Sequence, residues 1–257
     1  MLNKSETASL YLDLLKKTLT DYIHVGPDDG TVFHHVVDPD YEERLKSRRE
    51  GRDWPKRAET MVGLLRLDNL QHCLESCIED EIPGDFIETG VWRGGACIFA
   101  RAVLKAHGIS GRKVWVADSF QGLPQPKPEQ FPQDAGDVHH TYENLKISQE
   151  FVRRNFERYG LLDEQVEFLP GWFQDTLPGA PVERIAVARL DGDMYESTIV
   201  ALEALYDKGS PGGYIIIDDY NCVPGCQAAV DDFRKARGIR EELRTVDWAC
   251  SFWRKAR

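Results

Sequence analysis

The sequence predicts a doubly wound α/β protein built on a mostly parallel sheet, and three observations support this fold class. Short apolar strands alternate with helical segments from Asp85 onward, an order that produces right-handed β–α–β crossovers. Four of these strands end in glycine or acidic residues, at the edge where ligands bind in such sheets. The chain has 257 residues, 42% hydrophobic and 29% charged, which is enough to bury a sizeable core. We expect a single domain over residues 1–257, with a helical N-terminal extension over about 1–82 and an α/β core over about 83–257.

Two helices and little strand character are predicted for the N-terminal extension. Leucines recur at helical spacing over about Glu6–Ile23, and a second periodic apolar segment covers about Lys56–Glu79. The residues between them include a highly charged stretch, Tyr41–Asp53. Pro83 and Gly84 then break the chain before the first strand.

Five parallel strands with helices between them are predicted for the α/β core. Two further strands around Asp247 are expected to pair as an antiparallel hairpin at the sheet edge, which completes a seven-stranded sheet. The predicted strands are Phe86–Thr89, Val114–Asp118, Val166–Leu169, Ile185–Asp191, Tyr214–Asp218, Glu242–Val246 and Trp248–Trp253. The predicted helices are Gly95–Lys105, about Thr141–Tyr159 and about Ser197–Tyr206.

The charge of the chain argues against two classes of partner. Its 32 Lys and Arg residues against 43 Asp and Glu residues give a formal net charge of −11, with no long basic run to bind nucleic acid or an anionic membrane. No apolar stretch approaches the roughly 20 residues of a spanning helix, and the first residues lack the pattern of an export signal. We expect a cytoplasmic protein that binds neither nucleic acid nor a membrane.

The ends of the first two strands indicate a ligand that contains adenosine. Residues 88–95 (Glu-Thr-Gly-Val-Trp-Arg-Gly-Gly) form a turn whose glycines let the backbone approach a ligand closely, and the spacing is not the GxGxxG of nicotinamide enzymes. Asp118 ends the second strand, where an acid can accept hydrogen bonds from both hydroxyls of a ribose without a 2′-phosphate. Each feature taken singly also occurs as a purely structural turn or a loop-capping acid.

Acidic residues follow two further strands. Asp191-Gly192-Asp193 ends one strand and Asp218-Asp219 ends another, so adjacent strands would bring three or four carboxylates to one rim. Such a cluster repels itself unless protons or a cation neutralise it, and hard oxygen ligands suit Mg²⁺. The alternative is that these acids cap the following helices or bind a ribose.

Taken together, these motifs resemble those of class I S-adenosylmethionine-dependent methyltransferases, and more closely those of the macrocin O-methyltransferase family. Trp92 stands where the general class has the middle glycine of its first turn, a departure that fits this family. The resemblance covers most of the chain from about Asp53. The segments that carry it are Asp53–Pro55, Glu59–Met61, Glu88–Gly95, Val116–Gly122, Leu169–Phe173, Arg189–Tyr195 and Ile217–Tyr220.

The resemblance implies S-adenosylmethionine and Mg²⁺ as cofactors. The cation ligands would be Asp191, Asp218 and Asp219, which match the positions used by catechol-type metal-dependent O-methyltransferases, with Asp193 in a supporting position. Trp172 could cover an adenine face, although core packing is the alternative for any one aromatic residue. The implied cofactor contacts are Thr60, Met61, Glu88, Thr89, Gly90, Val91, Gly94, Asp118, Ser119 and Trp172.

The general base is open at this point. Met194 stands where the catechol enzymes carry their lysine base, so the candidates are Asp191, His139 and His140. We favour Asp191 and His139. Both histidines follow a long, proline-rich loop, Gln121–Val138, which is either a lid over the acceptor or a surface excursion.

The implied activity is Mg²⁺-dependent O-methylation of a sugar hydroxyl, typically on a deoxysugar of a glycosylated natural product such as a macrolide. Members of the family tend to be homo-oligomers, so a dimer or tetramer is expected. One alternative reads Asp191-Gly192-Asp193 as the DxD metal site of a nucleotide-sugar glycosyltransferase. Two others are a family member that binds cofactor or a partner without catalysis, and a hydroxylase-like branch with the same architecture.

Overall fold

The described residues of the N-terminal extension contain three α-helices, and the first and third of these share a core with the sheet. The computed structural model describes residues 4–26 and 40–256. Leu12, Leu15 and Leu19 of the first helix belong to the same buried apolar cluster as Phe86 and Val116 of the sheet. The helices are α1 (Lys4–Leu19), α2 (Tyr41–Arg49) and α3 (Gly63–Glu79).

The second predicted helix begins later than its spacing indicated, at Gly63 rather than near Lys56. The Arg93 guanidinium donates to the carbonyl oxygens of Pro55, Lys56 and Ala58 at 3.5, 2.7 and 2.9 Å. These oxygens therefore find partners outside a helical ladder, and the segment before Gly63 stays irregular.

One sheet contains all seven strands of the described chain. The strands are β1 (Asp85–Thr89), β2 (Val114–Asp118), β3 (Val166–Pro170), β4 (Ile185–Leu190), β5 (Gly209–Ile217), β6 (Arg244–Thr245) and β7 (Ser251–Arg254). Their order is β3-β2-β1-β4-β5-β7-β6. Strands β1 to β5 run parallel, whereas β7 is antiparallel to both β5 and β6. The predicted fold class and its antiparallel edge hairpin are confirmed.

Helices cover both faces of the sheet. Those that follow the extension are α4 (Gly95–Ala106), α5 (Gln149–Arg158), α6 (Phe173–Thr176), α7 (Tyr195–Leu205) and α8 (Pro224–Arg237). One apolar cluster lies between the sheet and α1, α3, α4 and α5, and a second lies between the sheet and α7 and α8. None of the helices in the described ranges has both the length and the apolar character needed to span a bilayer.

Besides α3, four helices differ from the sequence prediction, and two of them, α2 and α6, are short helices that were not predicted. Helix α5 begins at Gln149 rather than near Thr141, because the Ser148 side chain accepts the backbone N–H of Phe151 and caps the helix there. Helix α8 was not predicted at all. Its signals are Pro224 in the first turn and Gly238 at the C-terminus, with φ 63°.

The register of the parallel strands aligns their carboxyl ends. Thr89 of β1 lies opposite Ala117 of β2 on one side and Leu190 of β4 on the other, and Leu190 lies opposite Ile217 of β5. The strand order reverses between β1 and β4, which is where a doubly wound sheet opens a crevice for ligands. The turns after these strands consequently meet at one edge.

Candidate active site

A cavity of about 410 Å³ lies at this edge of the sheet. Residues that follow β1 to β5 line it, together with the irregular segment before α3 and part of the long loop after β2. The sequence-predicted site residues among its lining are Thr60, Met61, Glu88, Gly90, Val91, Asp118, Ser119, His139, Trp172, Asp191, Asp218 and Asp219.

Two predicted cofactor contacts, Thr89 and Gly94, do not line the cavity. The Thr89 side chain is fully buried in the sheet. Gly94 has φ 86° at the start of α4, and a Cβ there would lie 2.6 Å from a methyl carbon of Val152. Thr89 ends β1 and Gly94 precedes α4, so both shape the turn between them, and their contact with a cofactor stays a prediction.

Gly90 brings the turn after β1 against the turn after β4. Its φ is 82°, and a Cβ built on it would lie 1.7 Å from the carbonyl oxygen of Asp191. The backbone N–H of Asp191 in turn donates to the carbonyl of Thr89 at 2.9 Å. A residue without a side chain is required here, because the predicted cofactor turn and the acidic turn touch through their backbones.

Trp92 replaces the middle glycine of the turn after β1, and its contacts show how the fold accommodates a large side chain there. Its φ is 47°, a conformation that favours glycine. The indole N–H donates to the carbonyl of Asn144 at 2.9 Å, and the Arg93 guanidinium lies 4.1 Å from the ring centre. These contacts offset the cost of the left-handed backbone.

Thr60 and Met61 reach the cavity because neighbouring contacts hold their segment. The backbone N–H of Gly95 donates to the carbonyl of Glu59 at 2.9 Å, and the Tyr159 hydroxyl donates to the Glu59 carboxylate at 2.7 Å. The segment is therefore attached to both α4 and α5.

Asp118 lies at the end of β2 with both oxygens directed at backbone donors. One accepts the N–H of Val91 at 2.8 Å and the other the N–H of Phe120 at 2.7 Å. Burial raises the pKa of the carboxyl, while these hydrogen bonds favour its charged form. The Ser119 hydroxyl also donates to the oxygen that accepts Phe120, at 3.5 Å, so the oxygen that accepts Val91 is the one with a lone pair for a ligand hydroxyl.

Four carboxylates meet at the rim formed by the ends of β4 and β5. Oxygen atoms of Asp191, Asp193 and Asp219 lie within 4.8 Å of one another. Burial and the neighbouring carboxylates raise the pKa values of Asp191 and Asp219 well above the ordinary range, and burial raises that of Asp193 to about 6. Protons or a bound cation would relieve the repulsion among these carboxylates.

Asp218 faces a different set of partners from the other three acids. One of its oxygens accepts from Arg189 and the other accepts from Arg66 at 2.6 Å. Although burial opposes ionisation, the two guanidinium groups hold the pKa of Asp218 below its ordinary value. Asp193, predicted in a supporting position, lies closer to Asp191 and Asp219 than the sequence indicated.

The arginines extend this contact into a buried network. Arg189 donates to Glu88 and, at 2.8 Å, to Asp191. Arg66 donates to Asp247 at 2.8 Å. The second oxygen of Glu88 accepts from the Cys97 thiol at 2.8 Å. Sequence reasoning missed both arginines, although a charged residue within the otherwise apolar strand β4 is a signal that could have identified Arg189.

His139 is oriented by a carboxylate, whereas His140 is absent from the cavity lining. Asp137 and His139 Nδ1 form a hydrogen bond of 2.7 Å, which raises the pKa of the imidazole. Nε2 is then the ring nitrogen left for the cavity, which His139 lines. Asp193 contributes to the same rise in pKa, so its charge lies near the imidazole.

The long loop after β2 is fixed to the start of α7. Asp134 is 3% exposed, and its carboxylate accepts the backbone N–H groups of Tyr195 and Glu196 at 2.7 and 3.0 Å. Lys127 also forms an ion pair with Glu196 at 2.6 Å. Because Met194 offers no side-chain cap, a distant loop supplies the cap of the helix that follows the acidic turn.

An aromatic wall completes the cavity, and most of it was not predicted. Trp54 and Tyr142 meet edge to face with ring centres 6.4 Å apart. The Trp248 indole donates to the carbonyl of Glu50 at 2.8 Å. With Trp172 and Phe173, these rings give the cavity flat apolar surfaces beside a carboxylate rim. Such a site can stack a nucleobase or the apolar face of a sugar and bind a cation.

Comparison with known proteins gives consistent results. The family model described as macrocin-O-methyltransferase (TylF) matches residues 8–255. The chain is 53% identical over 250 residues to an 8-demethyl-8-(2,3-dimethoxy-alpha-L-rhamnosyl)-tetracenomycin-C 4'-O-methyltransferase of Streptomyces olivaceus, covering 97% of this chain and 94% of that one. It is 48% identical over 258 residues to a mycinamicin III 3''-O-methyltransferase of Micromonospora griseorubida, covering 99% and 100%.

The solved structures that superpose on this chain include methyltransferases as well. The O-methyltransferase NovP superposes with a TM-score of 0.89 at 48% identity, over 97% of this chain and 100% of that chain. A calicheamicin methyltransferase superposes with a TM-score of 0.61 at 17% identity over 94% and 91%, a similarity that concerns the fold alone.

Proposed function

We propose, from the premise that this chain belongs to the macrocin-O-methyltransferase family, that it methylates a sugar hydroxyl of a glycosylated natural product with S-adenosylmethionine and Mg²⁺. The family consists of O-methyltransferases, so the glycosyltransferase interpretation of Asp191-Gly192-Asp193 is set aside. The observation that carries the proposal is the contact between Gly90 and Asp191, which joins a cofactor turn and an acidic rim within one cavity.

The cofactor end of the cavity is formed by the turns after β1, β2 and β3. S-adenosylmethionine supplies an electrophilic methyl group on a sulfonium. We assign its ribose to Asp118, which lines the cavity at the end of β2, and its adenine to the face of Trp172. We assign the amino-acid part to the turn at Gly90, whose backbone lines the cavity.

The donor chemistry of the rim fits a divalent cation. Carboxylate oxygens are preferred Mg²⁺ ligands. Asp191 and Asp219 are both implied as ligands by the family resemblance, and both belong to the group of acids whose oxygens lie within 4.8 Å of one another. We assign the third position to Asp218, because each of its oxygens keeps a lone pair and the two arginines keep it ionised. When bound, Mg²⁺ would lower the pKa of the acceptor hydroxyl and fix its direction.

Proton removal is assigned to the acceptor side of the rim. Asp193 and His139 both line the cavity, and Asp137 orients the imidazole so that Nε2 is left for a substrate proton. Asp191, the other candidate base, is assigned to the cation, so His139 is the proposed base. If Asp193→Asn loses Mg²⁺ binding while Asp218→Asn keeps it, the third cation ligand is Asp193 instead of Asp218.

The acceptor is proposed to lie against the aromatic wall of Trp54, Tyr142 and Trp248. Aromatic faces suit the apolar face of a sugar ring, and the tetracenomycin relative acts, by its name, on a rhamnosyl group. A deoxysugar hydroxyl is therefore the proposed site of methylation.

A methylation assay tests this function directly. Labelled S-adenosylmethionine is incubated with a panel of rhamnosides and other deoxysugar glycosides, each beside its aglycone, with Mg²⁺ or excess chelator. We expect label on the sugar of glycosides only, and only with Mg²⁺. Equal transfer to aglycones refutes the sugar acceptor, and full activity in chelator refutes the metal.

A further inference from the structure

One buried guanidinium connects the two halves of the proposed site. Arg189 donates to Glu88 at the end of β1, to Asp191 at the end of β4 and to Asp218 after β5. Arg66 then joins Asp218 to Asp247. Glu88, Arg189 and Asp218 are 1%, 2% and 3% exposed, so these contacts are shielded from water.

The fold does not require a charge at this place in β4. The strand reads Ile-Ala-Val-Ala-Arg-Leu, and every residue in it is buried. Burying ions costs desolvation energy, and apolar side chains of similar volume often serve stability as well or better. The position of Arg189 therefore calls for a role beyond packing.

We infer that Arg189 is a positioning residue that couples binding of the cofactor to binding of the divalent cation. The inference rests on the proposed function, which places the cofactor at the turn after Glu88 and the cation at Asp191, Asp218 and Asp219. Arg189 divides its hydrogen bonds among the carboxylates of Glu88, Asp191 and Asp218. When Asp191 and Asp218 bind a second cation, their attraction for the guanidinium weakens. With Asp191 and Asp218 bound to Mg²⁺, Arg189 is held chiefly by Glu88, which fixes the end of β1 and the Gly90 turn.

The partners of Glu88 set the direction of the coupling. Among residues 4–26 and 40–256, Arg189 is the one charged partner of Glu88, whose other oxygen accepts from the Cys97 thiol. Arg189 therefore transmits a change at the rim to Glu88, and Mg²⁺ should tighten cofactor binding. Linkage requires that the cofactor tighten Mg²⁺ binding by the same factor, and coupling of this kind is typically at least about fivefold.

A second route between the two halves must be distinguished from the first. The turns after β1 and β4 also touch through backbone, at Gly90 and Asp191. Substitutions that alter the guanidinium or its carboxylate leave that backbone contact in place, so they separate the two routes.

Calorimetry tests the inference without measuring turnover. S-adenosylhomocysteine is titrated into the folded protein with and without saturating Mg²⁺, and Mg²⁺ is titrated with and without S-adenosylhomocysteine. The variants are Glu88→Gln, which removes the charge, and Arg189→Lys, which keeps the charge but loses the planar fork. Arg101→Lys is the matched control, because Arg101 is also a buried arginine but donates to Asp163, outside the cavity.

We expect Mg²⁺ to tighten S-adenosylhomocysteine binding at least about fivefold in the wild type and in Arg101→Lys, but less than about twofold in the other two variants. If Arg189→Lys does not fold, Glu88→Gln alone decides. Wild-type coupling in Glu88→Gln overturns the inference, as does a wild type that binds both ligands independently. A wild type that binds S-adenosylhomocysteine but no Mg²⁺ refutes the proposed metal site and the inference with it.

Discussion

At the scale of single residues, Gly90 is the position where the site depends most directly on backbone geometry. Its φ of 82° and the 1.7 Å approach of the Asp191 carbonyl to a hypothetical Cβ leave no space for a side chain. The turn after β1 and the turn after β4 can keep their contact only with glycine here.

We predict that Gly90→Ala weakens S-adenosylhomocysteine binding by at least about 100-fold, or about 2.7 kcal/mol, because the turn after β1 must move away from Asp191. Gly160→Ala is the matched control. Its φ is also positive, at 63°, but nothing lies within 4 Å of the added Cβ, so it should lose only about 1 kcal/mol of stability to backbone strain. Calorimetry and thermal unfolding check both values, and equal affinities in the two variants would contradict the prediction.

A second residue-scale prediction concerns the rim. Asp219→Asn should lower Mg²⁺-dependent methyl transfer by at least about 100-fold, because a neutral amide replaces a charged cation ligand. When both proteins are measured without Mg²⁺, Asp219→Asn should bind S-adenosylhomocysteine with the affinity of the wild type. Asp207→Asn, which disturbs only an exposed ion pair with Arg237, serves as the control. Wild-type activity of Asp219→Asn in excess chelator would show that the acid is structural.

At the scale of elements, the site depends on how helix termini are held. Helix α7 begins directly after the acidic turn and takes its cap from Asp134 in the loop after β2. Helix α5 takes its cap from the adjacent Ser148. The two helices therefore offer a comparison between a cap that also supports the rim and a cap that does not.

Asp134→Ala and Ser148→Ala should each destabilise the protein by about 1 kcal/mol, since each removes a helix cap. Only Asp134→Ala should also weaken Mg²⁺ binding, because it releases the start of α7 and with it Asp191 and Asp193. Urea unfolding and Mg²⁺ calorimetry measure the two effects. Loss of Mg²⁺ affinity in both variants would point to general destabilisation instead.

Helix α4 is joined to the loop before β3 by an ion pair that makes stability depend on pH. Arg101 donates to both oxygens of Asp163 at 2.9 and 2.6 Å, and this hydrogen bonding holds the pKa of Asp163 below its ordinary value. Because the pKa of Asp163 is lower in the folded than in the unfolded state, its carboxylate stabilises the fold at pH values above the unfolded-state pKa of about 3.9. This stabilisation is lost as the pH falls through the folded-state pKa.

Asp163→Asn should therefore be less stable than the wild type by about 1–2 kcal/mol at pH 7, with the difference shrinking below about pH 4. Urea unfolding at a series of pH values measures it. A difference that stays constant over that range would show that the charge of Asp163 makes no contribution.

At the scale of the whole molecule, the extension presents an apolar face that the described chain leaves uncovered. Leu10 and Leu14 lie one turn apart on α1 and are 57% and 60% exposed, whereas Leu12 and Leu15 are buried against the core. We propose that this face contacts a second copy, in line with the homo-oligomer implied by the resemblance.

The double variant Leu10→Glu with Leu14→Glu should dissociate the oligomer without unfolding the chain, because the exposed side chains contribute little to the core. Lys17→Glu, at an exposed position on the same helix, controls for added negative charge. Sedimentation velocity measures the species present. A monomeric wild type would refute this contact.

Much of the molecule followed from patterns along the chain. The alternation of strands and helices predicted the sheet, and parallel strands necessarily bring Gly90, Asp118, Asp191 and Asp218 to one edge. Helix boundaries were less accurate. The start of α3 depends on the Arg93 guanidinium, which lies in a different part of the sequence.

The sequence by itself determined the fold class, the family and which strand ends carry the chemistry, because these depend on local periodicity and on short contiguous motifs. Only the tertiary structure decided which partner each acid takes. Arg66 and Asp218 are 152 positions apart in the sequence. Asp134 and Tyr195, whose backbone N–H donates to the Asp134 carboxylate, are 61 positions apart. Such pairs form only when packed elements bring distant side chains within hydrogen-bonding distance, and no local pattern encodes that geometry.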